Sequence, residues 1–239
     1  NQSPGGVPGD DVVGYYRRRA EHGVGLIVTE GTAIAHPAAR SSPGVPRFHG
    51  EDALAGWAKV VAAVHAAGGR IMPQLWHVGM ARRAGSEPNP EAPPVGPSGV
   101  DLTGAPANEA LTETEVAGIV DAYAQGAADA HRLGFDGIEL HGAHGYLIDQ
   151  FFWERTNQRT DKYGGDFVAR HPWGKDGHAQ SAPDHFTDGA HAADFHHGEQ
   201  SHVLVAEIAF HQARGEARPA VEDVGLGRDL LAHDLPSNG

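Results

Sequence analysis

Cysteine is absent from all 239 residues of the chain. That excludes disulfides, thiolate metal sites and a cysteine nucleophile, and it leaves the compartment undecided. Positive charge is scarce as well: 18 Lys and Arg stand against 31 Asp and Glu, a formal net charge of −13. Nucleic acid and anionic membrane surfaces attract clustered Lys and Arg, so neither is expected as a partner. No stretch approaches the roughly 20 consecutive apolar residues of a membrane span, and no signal peptide opens the chain. The first residue is Asn1 rather than methionine, so the true start is expected upstream. A soluble, cytoplasmic domain is the expectation. The length suits one large domain, and it barely reaches the roughly 250 residues of an α/β barrel.

What is present is a pattern that appears three times. A helical stretch from Asp11 to His22 precedes VGLIVTEG, a second from Asp52 to Ala67 precedes RIMPQLWHVG, and a third from Thr112 to Leu133 precedes GFDGIELHGAHGY. Apolar residues recur at helical spacing, as in Leu54, Trp57, Val61 and Val64. Thr112 and Glu115 form a capping box, and Gly23, Gly68 and Gly134 stand where left-handed C-caps belong. The strands are short, apolar and not alternating, as in a parallel sheet buried on both faces. Helices alternating with such strands predict a parallel α/β architecture, with a barrel preferred over a doubly wound open sheet. Reactive side chains collect at the C-terminal strand ends: Thr29 and Glu30, then Gln74, Trp76 and His77, then His141 and His144. In parallel α/β folds that face binds ligands. Between units, Ala84 to Ala107 is rich in Pro and Gly and reads either as a functional lid or as a floppy insertion.

The last strand runs directly into His141, His144 and Tyr146 on a glycine-rich turn. Residues three apart on a strand point to opposite faces, so the two histidines converge only if the chain turns, as Gly142 and Gly145 permit. Such a pair can bind a metal, act as acid and base, or donate two hydrogen bonds to one anionic oxygen. A metal site needs a third protein ligand, for which Glu139 is the nearby candidate. Tyr146 suits a general acid, or simply packs over the turn.

The stretch HGAHGYLIDQFFWERTNQRTDKYGGD resembles the Old Yellow Enzyme family of FMN-dependent NADH:flavin oxidoreductases and ene-reductases. The matching positions are His141, Ala143, His144, Gly145, Tyr146, Leu147, Gln150 and Phe151, then Asn157, Arg159, Asp161, Tyr163, Gly164 and Gly165. LIVTEGT (26–32) and IMPQLWHVG (71–79) are similar to the family's second and third strands. The resemblance implies a TIM (β/α)8 barrel with FMN across its C-terminal face and NADH or NADPH as reductant. It implies Gly31 beside the isoalloxazine ring and Gln74 on the pyrimidine edge. His141 and His144 then bind the carbonyl oxygen of a small enone-type substrate, with His141 also at the cofactor, and Tyr146 delivers a proton. No resident metal is implied.

The family pattern stops near Arg170. Residues 1–170 are therefore expected to form a partial barrel lacking the first strand and the C-terminal half, with no counterpart of the phosphate-binding loops. Residues 171–239 hold nine of the 17 histidines and read as an irregular tail, a candidate for disorder, unrelated to the barrel or translated out of frame. Within the tail, Val203 to Phe210 reads as a strand or a short helix. Two other functions stay open: an inactive barrel fragment, and a metal-binding protein working through His191, His196, His197 and His202. The physiological substrate, the choice between NADH and NADPH, and the oligomeric state are not specified by the sequence.

Overall fold

The structure, a computed structural model, describes residues 2–165 and the strand at 204–209. The expectations for the rest of the histidine-rich tail, including its candidate metal ligands, lie outside the described residues. In chain order the elements are α1 (Asp10–Glu21), β1 (Leu26–Ala33), α2 (Glu51–Ala66), β2 (Arg70–Trp76), α3 (Glu113–Leu133), β3 (Gly137–Gly142), α4 (Leu147–Phe152) and β4 (Leu204–Ala209). The three predicted helices are present, with ends within a residue of those expected. The capping box forms: Glu115 N–H donates to Thr112 Oγ1 at 3.2 Å, and Thr112 N–H donates to Glu115 Oε2 at 2.8 Å. No described helix is long and apolar enough to cross a membrane.

Strands β1, β2 and β3 are parallel neighbours in that order. The core lies between them and the helices. Trp57 of α2 is fully buried there, with the rings of Phe48, Tyr16 and Phe135 at 6.0 to 6.3 Å, and its Nε1–H donates to Arg47 O at 3.1 Å. The sheet departs from expectation in two ways. The ambiguous apolar run near 204 is a strand, and β4 pairs antiparallel with β3 from Gly137↔Ala209 to Gly142↔Leu204, so the sheet is mixed. Burial on both faces holds for β2, where Ile71 on one face is inaccessible and Met72 on the other is 4% exposed, and fails for β1, where Leu26 and Val28 remain 45% and 42% exposed. Among the described residues β1 has one partner strand and is an edge. Val28 lines an open groove of about 580 Å³ with Tyr15, Tyr16, Arg19 and Glu30.

One irregularity prepares the site. Pro73 sits inside β2 without an N–H to give, and proline within a sheet is confined to edges and bulges. Opposite it the register slips between Val28↔Met72 and Gly31↔Gln74, so Thr29 and Glu30 of β1 face one residue of β2. The freed ladder is mended by side chains. Gln74 N–H donates to Thr29 Oγ1 at 3.0 Å, and Thr32 Oγ1–H donates to Gln74 O at 3.0 Å. The backbone of Gln74 is thereby clamped by two threonines, directly across from Gly31.

The Pro- and Gly-rich segment is tied down. Arg82, 2% exposed, donates from its guanidinium to the carbonyls of Ala92 (3.2 Å), Ser86 (2.5 Å), Asn89 (2.5 Å) and Arg40. Asn89 Nδ2 reaches Pro37 O at 2.9 Å, and Arg159 Nη1 reaches Pro97 O at 2.7 Å. This is an anchored loop rather than a floppy insertion.

Candidate active site

The site begins with the end of β3. His141 is still in the strand, and Gly142 closes it with an ordinary strand backbone. The turn is made by the next residues: Tyr146 N–H donates to Ala143 O at 3.3 Å, and the two central residues, His144 and Gly145, have φ of 61° and 73°. Of the two glycines expected to permit the turn, Gly145 does so, and the part expected of Gly142 falls to His144. His144 itself takes the left-handed conformation, which for a residue with a Cβ costs on the order of 1 to 3 kcal/mol and persists only where the surroundings enforce it.

The turn brings the predicted side chains together. The rings of His141 and His144 lie 5.3 Å apart, those of His141 and Tyr146 lie 5.1 Å apart, and Tyr146 meets Trp76 edge-on at 5.0 Å. Trp76 in turn reaches Gly31. A Cβ on Gly31 would stand 3.3 Å from the indole and 3.4 Å from Gln74 Oε1. Gly31, Gln74, Trp76, Tyr146, His141 and His144 thus form one continuous band over three strand ends. Burial, then the neighbouring His144, lowers the pKa of His141, so its imidazole is neutral at neutral pH and offers one N–H. Among the described residues no group of three His, Cys, Asp or Glu is arranged to hold a metal ion.

Two residues of this neighbourhood had no role assigned from sequence. Trp76 is 8% exposed, and among the described residues its buried indole N–H has no hydrogen-bond partner. A buried donor left open costs about 1 to 3 kcal/mol, which makes it a place for an acceptor. His77 is fully buried. Gly79 N–H donates to His77 Nδ1 at 3.0 Å, which puts the ring proton on Nε2, 2.8 Å from His36 Nδ1. Burial, then His36 and Arg82, hold His77 well below the ordinary imidazole range. Its carbonyl accepts from Leu147 N–H at 3.1 Å, joining the end of β2 to the start of α4. Its only sequence signal was its place directly after Trp76, at the end of β2.

The donor set fits a flat heteroaromatic cofactor. Gly31 leaves the space that a Cβ would fill, and the Gln74 side-chain amide, which can donate and accept, lies beside that space. Three parallel strands, β1 to β3, alternating with helices and carrying this band toward their C-terminal ends, fit a portion of a flavin-oxidoreductase barrel. The chain belongs to the NADH:flavin oxidoreductase / NADH oxidase family, whose model matches residues 1–173, and so to the Old Yellow Enzyme lineage. It is 42% identical over 179 residues to 12-oxophytodienoate reductase 7 of Oryza sativa subsp. japonica, a match taking in 70% of this chain and 45% of that protein. Flavin oxidoreductase hxnT of Emericella nidulans is 43% identical over 174 residues, covering 69% of this chain and 44% of its own length. The structure superposes on morphinone reductase in complex with tetrahydroNAD with a TM-score of 0.64 at 40% identity, covering 72% of this chain and 51% of that one. The chain therefore spans about half the length of the curated relatives it matches.

Proposed function

We propose that the site reduces the activated C=C bond of a small α,β-unsaturated carbonyl compound, with FMN as cofactor and NADH or NADPH as reductant. The observation that carries this reading is the convergence of His141, His144 and Tyr146 on one turn beside Trp76. Family membership and the nicotinamide analogue on morphinone reductase support it. Gly31 and Gln74 would hold the ring system of the FMN, the glycine by leaving its face open and the amide by hydrogen bonding its edge. When bound, the flavin supplies the hydride chemistry that no side chain here provides.

The chain's own residues do the rest. His141 and His144 each offer an imidazole N–H to the substrate's carbonyl oxygen. Negative charge gathers on that oxygen as hydride reaches the β-carbon, and fixed donors lower the barrier most where charge develops. Tyr146 carries a phenolic O–H, a donor group, and delivers its proton to the α-carbon. Trp76 braces the phenol from the side. We assign this chemistry to residues 1–170 and give residues 171–239 no part in it.

A second reading is favoured by the exposure of Leu26 and Val28 on β1: a fragment that keeps the site residues without the activity. A visible absorption spectrum of the purified protein, with and without added FMN, separates the two. A bound-flavin spectrum that bleaches under NADH or NADPH and recovers with an enone is the expected result. A protein that stays colourless in excess FMN overturns the proposal.

A further inference from the structure

The strained conformation of His144 requires an enforcing contact, and the side chains beneath it supply one. Gln150 of α4 has no exposed surface. Its Nε2 donates to Gly145 O at 2.6 Å, and its Oε1 accepts from Met80 N–H at 3.1 Å. The preceding residue, Asp149, 3% exposed, accepts Gly145 N–H on Oδ2 at 2.7 Å. Both backbone groups of Gly145 are thus held by adjacent side chains of one short helix. On the far side the amide of Gln150 lies hard against Gly79, which has φ of +61° and where a Cβ would come within 2.5 Å of Gln150 Oε1. The turn after β2 and the turn after β3 are therefore clasped through one uncharged amide, which donates to one and accepts from the other.

We propose that Gln150, assisted by Asp149, is the positioning residue of this site, locking His144 in its left-handed conformation and so setting the separation of the His141 and His144 donors. The consequence for catalysis rests on the function proposed above, and the geometry itself does not. An amide is the suitable group here. A carboxylate would repel Gly145 O, and a hydrocarbon would leave Met80 N–H and Gly145 O unsatisfied in a buried place.

The test is NMR on the full chain, with no flavin needed, comparing wild type with Gln150→Met, which keeps the side-chain length and removes both hydrogen bonds. Amide hydrogen exchange at Met80 is expected to quicken roughly fivefold, the equivalent of one hydrogen bond of about 1 kcal/mol. The imidazole signals of His141 and His144 are expected to move, with His141 titrating closer to an ordinary histidine. The His65 signal, set by its 2.9 Å contact with Asp136 far from the turn, is expected to stay in place. Unchanged His141 and His144 signals in a folded variant overturn the proposal. Where the variant does not fold, the wild type decides: a Met80 amide exchanging as fast as that of Gly85 in the surface loop overturns it, and strong protection supports it. Flavin uptake reports separately on the proposed function, so one reading can fail while the other stands.

Discussion

Tyr146 stands where two ring contacts meet, with Trp76 at 5.0 Å and His141 at 5.1 Å, and this makes its hydroxyl separable from its ring. Tyr146→Phe keeps both contacts and removes only the proton. On the proposed function, turnover of an enone is expected to fall by about 10²- to 10⁴-fold, the range for losing a general acid, while FMN uptake and flavin bleaching by NADH are unchanged. Stopped-flow measurement of the two half-reactions checks this, and equal losses in both would sink the assignment. His141, Tyr146 and Gln74 could be singled out in sequence because residue type and place at a strand end are local facts, whereas Gly31 came only with the family resemblance. The conformation of His144 was not legible. Nothing in the letters distinguishes a histidine that rests in a turn from one forced into it by Gln150 and Asp149. The hydroxyls that clamp Gln74 were equally hidden, since they answer to the bulge opposite Pro73 in another strand.

At the level of elements, the three helix–strand units could be read because each carries its own signals: the 3.6-residue period in α2, the capping box of α3, glycines at helix ends. What could not be read depends on neighbours. The composition of β1 resembles that of β2, yet among the described residues β2 is flanked on both sides and β1 is not, so similar apolar runs leave Leu26 exposed and Ile71 inaccessible. The 84–107 segment shows the same limit, because its order comes from arginines outside it. Arg82→Met removes four carbonyl contacts while keeping an unbranched side chain. The expected outcome is cleavage within residues 84–107 under limited proteolysis that leaves the wild type intact, with little change in the helical circular dichroism. A loop as resistant as before would show that Arg159 and Asn89 suffice.

The molecule as a whole carries a built-in acid sensitivity. His77 is held well below the ordinary imidazole value of 6.5, and His36, His49 and His141 are lowered too, in each case chiefly by burial. As pH falls below 6.5 the unfolded chain takes up protons that the folded chain refuses, so stability falls with falling pH through that window. The urea midpoint is expected to drop steadily from neutral pH into mild acid. The drop is expected to be shallower in His77→Asn, whose amide oxygen can still accept from Gly79 N–H. An identical slope in that variant would show that the dependence arises elsewhere. The open edge of β1 sets the terms on which such numbers are obtained. A strand with one side open among the described residues, offering Leu26 and Val28, is a template for ladder pairing between chains. Once heat loosens the helices above it, chains will be lost to association faster than they refold. A calorimetric trace then times a race rather than locating an equilibrium, and its apparent midpoint will climb with heating rate and slip with protein concentration.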